Sequence, residues 1–340
     1  PRACFNLPWP VAEDGFSSVS IDGEGSGFSD GDVLHLNEQI AATQYRLLRD
    51  SLRKHLSDMQ PLYKQDAKSR KKAEEAKNLM AAAHAEKDPA ARARAFDKAL
   101  RATSLAWQKV LIDHGAQIAR GEKARDALRF GLTLDEGILG RLDHFRWIVA
   151  AIERSGTNWV RLVFRSNPED FTYSNLRSFN DYDEIVAELR SRGLRVMGSV
   201  LDTAQWPRSL TPQAYSERAK NLVLHYKDQI RSWEVGSEIN GDWLGGRQDP
   251  MSLDQAYRIY SAAADKVKEL DPALETVATL YWWEGTAPDE EHSTLGWLRR
   301  RSKEGFGRNL DVLGISMQPD DNPVGMALEP LFERVHQELP

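Results

Sequence analysis

Ser232-Trp-Glu-Val-Gly-Ser-Glu238-Ile-Asn240-Gly-Asp242-Trp243 is the stretch on which the reading of the fold turns. A short apolar and aromatic run breaks at a glycine and ends in a cluster of polar side chains. That pattern predicts a strand, over 232–238, whose C-terminal end carries the chemistry-bearing groups. Amphipathic stretches predicted as helices flank it, at 214–230 and 253–270. The same alternation recurs on both sides. Strands are expected at 129–135, 159–164, 194–201, 275–281 and 310–316. The helices between and after them are expected at 142–154, 182–192 and 295–303, with a last one ending at 339.

Six consecutive strand–helix units with short connections require a parallel sheet, because each strand returns through a crossover helix. Polar or aromatic residues collect just after each strand: Asp135, Asn167, Asp202, Asn240, Trp282 and Asp320. In a (β/α)8 barrel all such positions converge on one C-terminal rim. The alternative is a doubly wound sheet, but no glycine-rich dinucleotide turn follows the first strand. The expected fold is therefore α/β, an incomplete TIM barrel of about six units, preceded by an α-helical segment. A barrel takes ~250 residues and eight units, so two further units are expected beyond Pro340. The start at Pro1, without an initiator methionine, is expected of either a processed product or a piece of something longer.

Three regions are expected. Residues 1–32, rich in Gly, Ser, Asp and Pro, read as loop or the end of an upstream module. Residues 33–127 are dominated by good helix formers, with Leu34, Leu36, Ile40, Tyr45, Leu48, Leu52 and Leu56 marking one face. Pro61 and the Lys-Asp-Pro step at 87–89 divide that region into a helical hairpin or small bundle. Residues 128–340 form the partial barrel.

Composition narrows the function classes. The net charge of -6 leaves no electrostatic footprint for nucleic acid. No apolar run is long enough to span a membrane, and the first twenty residues lack a signal-peptide plan. Cys4 stands alone, which excludes internal disulfides and cysteine-rich metal sites. The eight histidines form no metal-binding pair, so no cofactor or catalytic metal is expected. Asp22-Gly-Glu24-Gly-Ser26-Gly starts like a calcium loop, but Val33 stands where the bidentate Glu belongs. Gly27-Phe-Ser29-Asp-Gly31 has the letters of a nucleophile elbow without a strand before it.

The stretch ending Gly236-Ser237-Glu238 resembles the strand-four signature of clan A glycoside hydrolases, in which a Gly- or Trp-led strand ends in Asn-Glu. Asn158-Trp-Val-Arg161 resembles that clan's second strand, and Asp311-Val-Leu-Gly-Ile-Ser316 its sixth. The resemblance covers 129–340 and implies a cofactor-free retaining glycosidase acting on a carbohydrate. It implies Glu238 as acid/base, Arg161 as the arginine that reaches the nucleophile, and a nucleophile at the end of a seventh strand beyond Pro340. A secreted or periplasmic protein is implied by the resemblance alone. Ser237 departs from the clan's Asn, and Met317-Gln318 from its frequent Tyr.

The chemistry explains the residue types. An oxocarbenium-like state needs one carboxyl group to protonate the leaving oxygen and another, ~5–5.5 Å away for retention, to attack the anomeric carbon. Asp202, Asn240 and Asp320 are candidate hydroxyl ligands, and Trp206, Trp243, Trp282 and Trp283 candidate sugar-stacking rings. Plainer readings stand beside each: Glu238 a solvated rim charge, Arg161 a partner of Glu234, the polar residues loop turns. One of Trp282 and Trp283 is expected in the core, since neighbours in a strand face opposite ways. Two rival functions remain: a non-catalytic carbohydrate-binding barrel and an unrelated barrel enzyme.

Overall fold

The computed structural model describes residues 5–23, 25–121, 128–134, 142–165, 176–246 and 250–339. The chain divides into two compact units, Pro1–Leu128 with Gln318–Glu333, and Arg129–Met317 with Arg334–Pro340.

The first unit opens with an antiparallel hairpin of β1 (Phe5–Val11) and β2 (Gly15–Ile21), in register from Phe5↔Ile21 to Val11↔Gly15. Within 1–32, read as loop or the end of an upstream module, residues 5–21 thus form a hairpin. The turn between the strands is closed by two positive-φ residues, Glu13 and Gly15, and Val11, Val19 and Ile21 point into a core. The prolines at 8 and 10 disguised a strand that needs few amide donors. Three helices follow: α1 (Leu36–Ser57), α2 (Ala67–Ala85) and α3 (Pro89–Ala119). The two breaks fall at the expected places. Asp66 caps α2 by accepting from the Ser69 N–H at 2.6 Å, and Asp88 caps α3 from Ala91 at 2.8 Å, with Pro89 in the first turn. Ile40, Leu48, Met80, Phe96, Leu100 and Trp107 join the hairpin in one core.

Residues 318–333 belong to this unit, although the sequence placed them in the barrel domain. Ser51 and the Trp107 indole both donate to the Glu329 carboxylate at 2.6 Å, His55 Nε2 stands 3.2 Å from it, and Met326 N–H donates to Ser17 Oγ at 2.9 Å. These bonds are long-range side-chain pairings that no local pattern encodes.

In the second unit six strands form one parallel sheet: β3 (Gly131–Leu134), β4 (Trp159–Val163), β5 (Arg195–Ser199), β6 (Ser232–Gly236), β7 (Glu275–Tyr281) and β8 (Val312–Ser316). Their spatial order is their chain order. A doubly wound sheet reverses direction at a switch point; this one never does. The architecture is an incomplete TIM barrel, as expected. The crossover helices are α4 (Leu142–Arg154), α5 (Asp183–Ser191), α6 (Pro212–His225), α7 (Leu253–Leu270) and α8 (Thr294–Lys303); α9 (Leu328–Glu338) follows β8 in the chain, its residues up to Glu333 falling in the first unit.

The strand period sorts the side chains. Val160, Leu162, Val196, Trp233, Val235, Ala278 and Leu280 are buried together with the apolar faces of the helices. The opposite parity carries Arg161, Ser199, Ser232, Glu234, Glu275, Thr279 and Ser316, the inner face of the curled sheet. Gly198 lies where an added Cβ would stand 2.6 Å from the Trp233 ring, so the outer layer closes only over a glycine there.

Candidate active site

The site is built at the C-terminal end of β6. All five residues of this strand are buried, and its pairing with β7 slips between Glu234 and Gly236. Such a bulge bends the strand and re-aims the residues after it. Two residues on, Glu238 takes a left-handed backbone conformation, φ 51°, which is costly for a residue with a Cβ and must be held by its surroundings. Strand β7 supplies the hold. Thr279 Oγ1 accepts from the Glu238 N–H at 2.8 Å, and the Thr279 carbonyl accepts from the Ile239 N–H at 3.2 Å.

The Glu238 side chain is half-buried, and its Oε1 accepts a hydrogen bond from Ser316 Oγ, the last residue of β8. Burial pushes its carboxyl above the ordinary glutamate range. The negative charges of Asp202 and Glu234 act in the same direction, while the Ser316 bond and the Arg161 charge oppose them. A carboxyl group so placed holds its proton to higher pH than a solvated one, as a general acid requires.

Arg161 projects from β4 and is spent on Glu234, the residue two before the end of β6. Its Nε and Nη2 both reach Glu234 Oε2, at 2.8 and 2.5 Å. The same Nη2 lies 3.3 Å from Ser237 Oγ and 3.5 Å from Ser199 Oγ. Glu234 is 1% exposed and Arg161 21%. The plainer reading of Arg161, a partner of Glu234, therefore describes its direct contacts, and its charge also reaches Glu238. Ser237, standing where the resembling clan has Asn, is buried, with its hydroxyl beside Arg161 and its carbonyl accepting from Thr203.

The other expected site residues separate into groups. Asp202 is at the rim, where it caps the turn Thr203–Gln205 through the Ala204 N–H at 3.0 Å and lies 3.7 Å from Arg165. Asn240 is fully buried and its amide is committed to backbone. Nδ2 donates to the Tyr281 and His292 carbonyls at 2.9 and 2.8 Å, and Oδ1 accepts from the Tyr281 N–H at 2.7 Å. It clasps the β6 loop to the end of β7, and both of its N–H donors are committed to that clasp. Trp206 is a core residue, 1% exposed and edge-on to Tyr215 at 4.8 Å. Trp282 is also core, at 5%, whereas its neighbour Trp283 is half-buried. Trp283 stacks on Trp243 with centroids 5.8 Å apart, and the Tyr281 ring meets both edge-on. Asp320 is exposed and belongs to the other unit. Asp135 and Asn167 lie outside the described residues.

Two residues that sequence reasoning passed over, Thr279 and Ser316, hold Glu238 directly. Both have the inward parity of their strands, a signal that was present and unused. A separate cavity of about 500 Å³ opens at the opposite, N-terminal ends of the strands, lined by Arg129, Trp159, Arg195, Ser232 and Glu275 among others. Its polar groups are largely spent on one another: Arg129 forks Glu275 at 2.5 Å while lying over the Trp159 ring, and Ser232 donates to Glu275. That end of a barrel serves stability. Among the described residues no group of three or more His, Cys, Asp or Glu is placed to hold a metal ion, and no helix is long and apolar enough to cross a membrane.

No protein-family model matches this sequence, and no curated protein matches it. Solved structures similar to the chain include glycoside hydrolases. A GH10 endoxylanase from a sugarcane soil metagenome is 15% identical, with a TM-score of 0.46 over 63% of this chain and 65% of its own. Xylanase 10B from Thermotoga maritima is 14% identical, TM-score 0.41, over 62% and 66%. The GH53 catalytic domain of Ignisphaera aggregans is 18% identical, TM-score 0.39, over 52% and 53%. The chain thus spans less than two thirds of the length of each of these three structures.

Proposed function

We propose that the second unit is part of a glycoside hydrolase that cleaves O-glycosidic bonds of a poly- or oligosaccharide by a retaining, two-carboxylate mechanism, with Glu238 as general acid/base. The observation that carries this reading is the state of Glu238: a half-buried carboxyl, raised above the usual range, held by β7 and β8 at the C-terminal end of a barrel strand. In the first step Glu238 gives its proton to the leaving oxygen; in the second it takes one from the water that attacks the glycosyl intermediate. Trp243 and Trp283 offer a stacked aromatic platform on the same rim for a sugar face. Arg161 and Glu234 form the charged floor beside Glu238. Asp202 is the polar rim group of the set.

Retention needs a second carboxylate ~5–5.5 Å from the first. Glu234 is committed to Arg161, so this reading assigns the nucleophile to a further barrel strand that is not among these residues. Support for a second reading comes from Ser237. With a short hydroxyl already beside Arg161, the position normally given to a sugar-binding Asn is weakened, which favours a carbohydrate-binding barrel that does not catalyse.

The test is Glu238→Gln in the intact gene product, assayed against a panel of poly- and oligosaccharides with binding measured in parallel. Turnover is expected to vanish while oligosaccharide affinity stays. Unchanged turnover removes Glu238 from the mechanism. Binding without turnover by both forms establishes the second reading.

A further inference from the structure

The two strands after β6 place three residues around Glu238 that share no sequence motif. Thr279 and Gly314 are register partners, as are Tyr281 and Ser316 two pairs further on. Thr279 uses its hydroxyl to accept the Glu238 N–H and its carbonyl to accept the Ile239 N–H, which pins the left-handed residue on its backbone side. Ser316 pins the other end by donating to Oε1. Gly314 makes the first hold possible: an added Cβ there would stand 2.9 Å from Thr279 Cγ2, closer than real Cβ contacts come, so any side chain would displace the threonine.

A hydroxyl has one proton to donate. Given to Oε1, it makes that oxygen the carbonyl-like one whenever the carboxyl is protonated, so the acidic proton sits on Oε2. When the carboxyl ionises, the same bond becomes charge-assisted and favours the anion. We propose that Ser316 is the positioning residue of this centre: it occupies Oε1 and so selects Oε2 as the oxygen that gives up and takes back the proton, with Thr279 and Gly314 fixing the backbone that brings the two side chains together. The inference rests on Glu238 being the acid/base, but the contact it concerns can be measured without substrate.

The experiment is a carboxyl-carbon NMR titration of Glu238 in the full chain carrying 13C-labelled glutamate, with Glu238→Gln used to assign the resonance. Ser316→Ala removes a donor that favours the anion, so the Glu238 midpoint is expected to move up by about one pH unit, the scale of one charge-assisted hydrogen bond. Ser316→Thr keeps the hydroxyl and is expected to leave the midpoint within a few tenths of a unit of the parent. Thr279→Val keeps the shape but removes the acceptor for the Glu238 N–H, and is expected to shift that amide's resonance. A midpoint unmoved or lowered in Ser316→Ala, or raised equally in Ser316→Thr, overturns the proposal. These results stand whether or not Glu238→Gln affects turnover, so failure of the clamp and failure of the glycosidase reading are distinguishable.

Discussion

Arg161 and Glu234 offer the sharpest energetic test of the barrel's inner face, because the two partners are buried to different depths. Glu234 is 1% exposed, and both guanidinium contacts converge on its Oε2. Replacing Arg161 by Met leaves a carboxylate that cannot rehydrate. Removing one partner of a buried pair costs about 3–5 kcal/mol, much of it the penalty of the charge left behind. For a unit of 150–250 residues each kcal/mol moves the midpoint by about 2–4 °C, so a fall of roughly 6–20 °C is expected. Glu234→Gln leaves the opposite orphan, an arginine that is 21% exposed and retains Ser237 and Ser199 as acceptors. Its cost is expected near 1–2 kcal/mol, the scale of a hydrogen bond to a charged group. The double variant, Arg161→Met with Glu234→Gln, is expected to recover more than 1 kcal/mol relative to the sum of the two. Urea unfolding followed by hydrogen exchange of β4–β6 peptides reads the second unit separately from the first. Equal costs for the two single variants, with no coupling between them, would refute the reasoning.

Two further expectations concern contacts that the sequence did not announce. Asn240→Asp is expected to destabilise the second unit more than Asn240→Ala, because a carboxylate oxygen would face the Tyr281 and His292 carbonyls where Nδ2 now donates. The alanine variant removes the bond that Asn240 Oδ1 accepts from the Tyr281 N–H, at about 1–3 kcal/mol. Denaturation midpoints in the reverse order would show that the clasp is not what holds the loop. In the first unit, burial of Glu329 favours its neutral form, but the bonds from His55, Ser51 and Trp107 outweigh it and hold the carboxyl below the ordinary range. A depressed carboxyl contributes stability that is present above its unfolded value, roughly 4.3, and is lost as pH falls through the folded one. Amide protection factors in α1 and α3, which discount the intrinsic slowing of exchange in acid, are therefore expected to fall on acidification, and less so in Glu329→Gln. Identical acid profiles for the two proteins would count against that role.

The barrel sheet was legible in the residues alone. Periodicity marked six strands, and the segment 275–281 was placed to the residue because branched residues there are bounded by turn signals on both sides. It also marked Glu238, since a polar cluster after a buried strand is a local pattern. The hairpin at the N-terminus escaped because its prolines mimic loop composition, and the grouping of residues 318–333 with the first unit was not legible because Glu329 is bound by side chains 222 to 278 positions away. Side-chain commitment was decided only by tertiary structure. Nothing local distinguishes Asn240, whose amide is consumed by another strand's backbone, from an asparagine open to ligand. Trp206 and Trp282 likewise look like Trp243 and Trp283 until packing buries them. The chemistry of Glu238 divides in the same way. Its identity is written in the β6 segment, but its backbone conformation, its hold on the proton and the oxygen available for that proton depend on burial and on Thr279 and Ser316, which reach it only because the sheet lays β7 and β8 beside its end.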